Sequence, residues 1–128
     1  MKPIIIAGLI LMVATPAIGQ EVMDDGSRVV LPLETQQCDL PTAPPPIPET
    51  PMKEDLLKAQ KAVKQFQKDM EIYRACISDD SLSDTWSDGN RVAVTNAHNY
   101  SVEMEERVAT MFNEAVRAYK ARYAKDSN

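Results

Sequence analysis

The sequence predicts an all-α fold: an antiparallel two-helix, coiled-coil-like hairpin with a polyproline strap tied to its first helix by one disulfide. Three observations lead there. Apolar or small residues from Met52 to Ile77 recur in alternating steps of four and three. Six prolines crowd the stretch from Cys38 to Pro51, and the chain has two cysteines, Cys38 and Cys76.

In chain order, residues 1–19 read as a secretory signal peptide. Lys2 supplies the positive start, and Ile4 to Ala14 is apolar except for Gly8. Thr15-Pro16-Ala17-Ile18-Gly19 then gives a small-residue cleavage region. Cleavage after Gly19 fits best, with cleavage after Ala17 as the alternative. The apolar run of about 11 residues is shorter than the roughly 20 a spanning helix needs, so no transmembrane span is expected after signal cleavage. No cysteine follows the cleavage region to carry a lipid anchor. The expected location is the periplasm or the extracellular space.

Removing Lys2 with the signal takes the net charge from −5 to −6 and leaves roughly 109 residues, enough for one small domain. Basic residues are dispersed among acids, so no nucleic-acid partner is expected; phosphates demand a concentrated positive patch. Only Arg117, Lys120, Arg122 and Lys125 gather. They lie at the end of a predicted helix, where cations offset the helix dipole; contact with an anionic membrane is the rival reading.

Residues 20–37 form a flexible or weakly extended N-terminal arm, with Asp25-Gly26 as a turn and Arg28 to Leu33 extended. Pro32 argues against a central strand. Residues 38–50 are the strap: proline fixes φ and removes the amide donor, which favours polyproline II. In an oxidising compartment Cys38 and Cys76 pair. Closing so long a loop stabilises by about 4 kcal/mol on chain-entropy grounds. Their separation favours a staple over a redox role, which calls for closely spaced thiols of lowered pKa.

Residues 51–124 make the helical hairpin, with helices over about 51–78 and 88–123. Thr50 is the expected N-cap, with Pro51 at the first helical position. Met52, Leu56, Ala59, Val63, Phe66, Met70, Tyr73 and Ile77 then form a heptad seam. Lys58, Lys61, Lys64 and Lys68 fall off it and face water or a partner helix. Ser78 to Asn90 is an acidic turn in which Trp86 is placed to cap the hairpin. The second helix carries a wider stripe: Val94, Ala97, Ser101, Met104, Val108, Met111, Phe112, Ala115, Val116, Tyr119 and Tyr123. Such width implies more than one neighbour. A symmetrical fold-back sets Lys61 and Lys64 opposite Glu103, Glu105 and Glu106.

The strap and first helix match in length. Cys38 to Thr50 spans about 37 Å as polyproline II, and Pro51 to Cys76 spans about 37 Å as α-helix. A strap lying antiparallel along the whole helix therefore brings the cysteines together. A Cα separation well beyond about 7 Å would defeat this arrangement.

No chemistry-bearing constellation stands out, and no catalytic, cofactor or metal residue is assigned. Asp84, Asp88 and Gly89 fit the first, fifth and sixth places of a calcium loop, but Trp86 and Thr95 occupy two ligand places. His98 is the chain's one histidine, so no typical zinc or copper site is expected. Met104 and Met111 read as core filling. Glu105 and Glu106 are adjacent, which points them about 100° apart on a helix. Asn99-Tyr100-Ser101 matches a glycosylation acceptor, but its place within a helix makes that a chance match.

Several blocks carry a resemblance: Cys38 with Pro44-Pro45-Pro46-Ile47-Pro48, Ala59 to Lys64, Tyr73 with Cys76, Val108-Ala109, and Phe112 to Lys120. Over residues 38–122 the chain is similar to a set of small exported helical-hairpin proteins of Gram-negative bacteria with a Cys/Pro-rich strap. The resemblance implies a periplasmic, disulfide-bonded hairpin and no activity. The functional expectation is a non-enzymatic periplasmic or envelope protein that works by protein–protein contact, its partner another envelope protein or itself. A small-molecule or metal-binding module is the alternative. An inhibitor of a secreted enzyme ranks last, because no reactive-site loop is visible.

Overall fold

The computed structural model describes residues 21–126, apart from the side chains of Asp80 and Asp126; the predicted signal peptide lies outside the described residues. The chain folds as two helices packed against each other, α1 (Lys53–Ile77) and α2 (Asp88–Asp126), with no strand among the described residues. Short 3-10 turns occupy Thr35–Gln37 and Asp80–Thr85. Among the described residues no helix is long and apolar enough to cross a membrane.

α1 forms because its interior lacks glycine and proline and its poles carry suitable charge. Glu54 and Asp55 lie in the first turn, and Arg74 lies in the last. Its start differs from the expectation by two residues: the N-cap is Met52, not Thr50. Pro51 is buried and its carbonyl accepts a hydrogen bond from Arg122 Nη2 at 2.7 Å, which holds the chain extended until Met52. The Asp55 carboxylate then accepts from the Met52 amide at 2.8 Å. This is half of a capping box, since a thioether lacks the oxygen for the return bond.

The seam of α1 is the core. Leu56, Val63, Phe66, Met70, Tyr73 and Ile77 are buried, with Met70 and Ile77 fully so. Burial pushes the Tyr73 hydroxyl above the usual phenol range, because desolvation penalises the phenolate. From α2, Ala93 and Ser101 are buried among these side chains. Ser101 tolerates complete burial because its hydroxyl donates to the His98 carbonyl at 2.6 Å.

The expected contact of Lys61 and Lys64 with Glu103, Glu105 and Glu106 is not the one that joins the helices. Lys61 and Lys64 are exposed, and the ion pair joining the helices is Arg74 Nη1 to Glu105 Oε2 at 2.7 Å. That contact lies off the hydrogen-bonding direction, so it is ionic rather than a directed bond. Ala59 and Val63 share a groove with Met104, Val108 and Met111. α2 is the longer helix: 39 residues, about 58 Å, against 25 residues, about 37 Å, for α1. Its first residues, Asp88 to Asn90, are hydrogen-bonded to the arm.

The strap returns along α1 as the length match predicts. Cys38 and Cys76 are bonded, with Cα atoms 5.9 Å apart. Pro45 and Ile47 sit over Asp55, Ala59 and Ala62, so the strap runs antiparallel to the helix. Alanines beneath it keep the surface of α1 low enough for the prolines to approach.

Candidate functional site

Two features offer a surface for function: a groove beneath the strap, and the apolar edge where the hairpin opens. A third cluster, at the turn, determines how the first two are held.

At the turn, the arm docks onto the start of α2. Residues 23–27 make a tight turn around Gly26, whose φ of 81° suits a residue without a side chain, and Val22 bridges Arg28. Asp25 accepts from the Asp88 amide at 3.1 Å, and Ser27 Oγ accepts from the Gly89 amide at 2.9 Å. Those amides are orphan donors of the first helical turn, so the arm supplies caps that the local sequence does not. Ser87 Oγ and Asn90 Oδ1 add reciprocal caps, and Asn90 Nδ2 donates to the Val30 carbonyl at 2.7 Å. Trp86 Nε1 donates to Glu34. Hydrogen bonds from the Ser27 hydroxyl, the Ser27 amide and the Asp88 amide hold the Asp25 carboxyl below its usual range.

The groove lies between strap, α1 and α2, with a volume of about 200 Å³. Pro44, Pro45 and Ile47 form one wall, and Ala59 and Val63 the floor. The opposite wall is Met104, Val108 and Met111, with Arg107 as the one charged lining residue. Met104 and Met111 were expected as core filling; Met111 is 47% exposed and both line this groove. His98 is exposed and takes no part in it.

At the open end, the stripe of α2 outlasts the cover that α1 provides. Phe112, Ala115, Val116 and Tyr119 are half-buried, Tyr123 is 54% exposed, and Met52 beside them is 61% exposed. Tyr119 and Tyr123 stack with ring centroids 4.6 Å apart. A hydrogen bond with Tyr123 is the main reason the Tyr119 hydroxyl titrates above its usual range. Arg122, expected as a dipole-offsetting cation, ties α2 to Pro51 instead.

The acidic turn does not converge on a point. Asp79 accepts from the Ser81 amide, which lowers its pKa, and Asp88 opens α2. Gly89, expected to allow a tight bend in a solvated turn, is buried against the arm: a Cβ there would stand 2.0 Å from the Arg28 carbonyl oxygen. Among the described residues no three of His, Cys, Asp and Glu gather as a metal site would require. Sequence reasoning missed Gly89, Asp25, Ala93 and Arg107. Arg107 alone left a legible signal, as a cation three residues after Met104 and four before Met111.

Comparison with protein-family models, with curated proteins and with solved structures yields no match to this chain.

Proposed function

We propose that the chain is an exported, non-enzymatic protein of the periplasm or cell envelope that acts by contact, binding another envelope protein or a second copy of itself along the open end of the hairpin. The observation that carries this reading is the incomplete cover of α2, where Tyr123 and nearby Met52 are exposed and Phe112, Val116 and Tyr119 are only half-buried. Contiguous apolar surface of this kind, in a net acidic chain, is what a protein partner covers. Export is supported by the signal-like residues 1–19 and by a disulfide, which persists in oxidising compartments.

A photo-crosslinking amino acid placed at Val116 in the full chain, expressed in intact bacteria, tests the reading. A discrete adduct is expected, and its mass distinguishes a second copy from another envelope protein. A strict monomer in sedimentation, with no adduct from Val116 or Tyr123, overturns it.

A further inference from the structure

We infer that the groove beneath the strap is a binding site for a single-chain alkyl carboxylate, with the headgroup on Arg107 and the alkyl chain lying between Ile47, Met104 and Met111. This site is separate from the open end and does not depend on the contact reading above.

The first argument is shape. A cavity of about 150 Å³ lined by aliphatic side chains is large enough for one small apolar ring. This groove, at about 200 Å³, is set between a helix pair and an extended strap, with lining residues from Met104 to Met111 along one wall. One alkyl segment fits such a channel, and the rest of the chain lies along its open side. Met104 and Met111 stand two turns apart on α2, and flexible thioethers adapt to a chain of variable length.

The second argument is charge. Arg107 is the one charged residue of the lining, and its guanidinium has neither hydrogen bond nor ion pair among the described residues. It stays unpaired although Glu103 and Glu106 lie on the same helix in a chain of net charge −5. An unpartnered guanidinium at the rim of an apolar channel complements an amphiphile whose head is a planar anion, which it grips through two parallel N–H donors. One guanidinium balances the single negative charge of a carboxylate. A phosphomonoester carries closer to two at neutral pH and would leave one unmet.

The third argument is covalent. The strap supplies one wall, and the Cys38–Cys76 bond fixes that strap along α1. The groove is therefore preformed, and a ligand entering it need not order the wall.

The test is titration of the folded, oxidised protein with sodium laurate below its micellar range, followed by NMR of methionine methyl groups. Saturable shifts are expected at Met104 and Met111, with Met23, Met52 and Met70 unmoved. Arg107→Gln should weaken laurate at least tenfold while leaving dodecanol unchanged, and Met111→Glu should weaken laurate similarly. Both positions are exposed, so circular dichroism should show unaltered helicity. Leu57→Glu, at an exposed position away from the groove lining, should change nothing. Equal shifts at all five methionines, laurate affinity indifferent to Arg107→Gln, or tighter binding of dodecyl phosphate than of laurate would each overturn the assignment.

Discussion

The two ends of the hairpin are built on opposite principles. At the turn end, contacts reach far along the chain: Cys38 bonds Cys76, Asp25 and Ser27 cap the start of α2, and Gly89 is buried against the Arg28 backbone. At the open end one equally distant bond, from Arg122 to the Pro51 carbonyl, closes the chain, and Tyr123 and Met52 stay exposed beside half-buried Phe112 and Tyr119. The lesson is a division of labour. A two-helix protein has too little interior to bury every apolar residue of a 39-residue helix, so one end is closed by its own chain and the other keeps Met52 and Tyr123 exposed.

Removing the staple should separate the ends most. Cys38→Ser with Cys76→Ser should cost about 4 kcal/mol, read by urea denaturation, since the bonded residues are 38 apart in sequence. A loss below about 1 kcal/mol would mean that the strap is held by packing rather than by its bond. Next in size is the seam between the ends. Met70 is fully buried, and Met70→Ala should cost about 3 kcal/mol through lost burial and a residual cavity. A shift near zero in the denaturation midpoint would show that the helices close over the gap, as a loosely packed coil would.

How far the fold was legible follows the same division. The α1 seam could be read because its signal is local: a period of 3.5 residues places Leu56, Val63, Phe66 and Met70 on one face whatever they pack against. The strap was legible because two rise values and one bond fix its path. The seating of the arm on α2 was not, because its hydrogen bonds join residues more than 60 positions apart in sequence. Gly89 misled for the same reason. A glycine beside Asp88 resembles a bend, whereas here its missing side chain is what lets the Arg28 carbonyl approach. Of the candidate sites, the groove could not be read, since its walls come from three segments far apart in the sequence.

Gly89→Ala tests the closed end directly. In an ordinary helical position this change stabilises by about 1 kcal/mol. Here the added Cβ would lie 2.0 Å from a backbone oxygen, so the expected sign is reversed, with a loss of roughly 2 kcal/mol. Limited proteolysis of the arm should accelerate with it, while the Arg74–Glu105 contact persists. A stabilised variant would show that the arm is not seated on α2.

Acid should loosen that end by a smaller amount. The Asp25 carboxyl is held below its usual range chiefly by the Ser27 hydroxyl and amide of the arm's own turn, and further by the Asp88 amide on which the arm docks. Its folded pKa is therefore below its unfolded pKa, and the unfolded chain binds the proton more readily. The stabilisation is complete above the ordinary carboxylate range, near 4, and is lost as pH falls through the lowered folded value. Exchange of the Asp88 and Gly89 amides, corrected for intrinsic rate, should accelerate in that window. Asp25→Asn should abolish the pH dependence.

The smallest expected effect is at the open end, and its direction matters more than its size. Met52 is an N-cap with φ −85° and ψ 164°, a conformation serine adopts well, and its side chain is 61% exposed. Met52→Ser should therefore add the missing half of the capping box and stabilise by about 0.5–1 kcal/mol. The same change removes an apolar side chain from the edge proposed to meet a partner, so the Val116 crosslink should weaken as the melting temperature rises. Opposite movement of the two readouts is what an edge reserved for contact requires: a residue poor for the monomer's own helix is retained where it faces outward. If Met52→Ser lowers the melting temperature instead, Met52 contributes to the monomer's core and the open end is closed by its own chain after all.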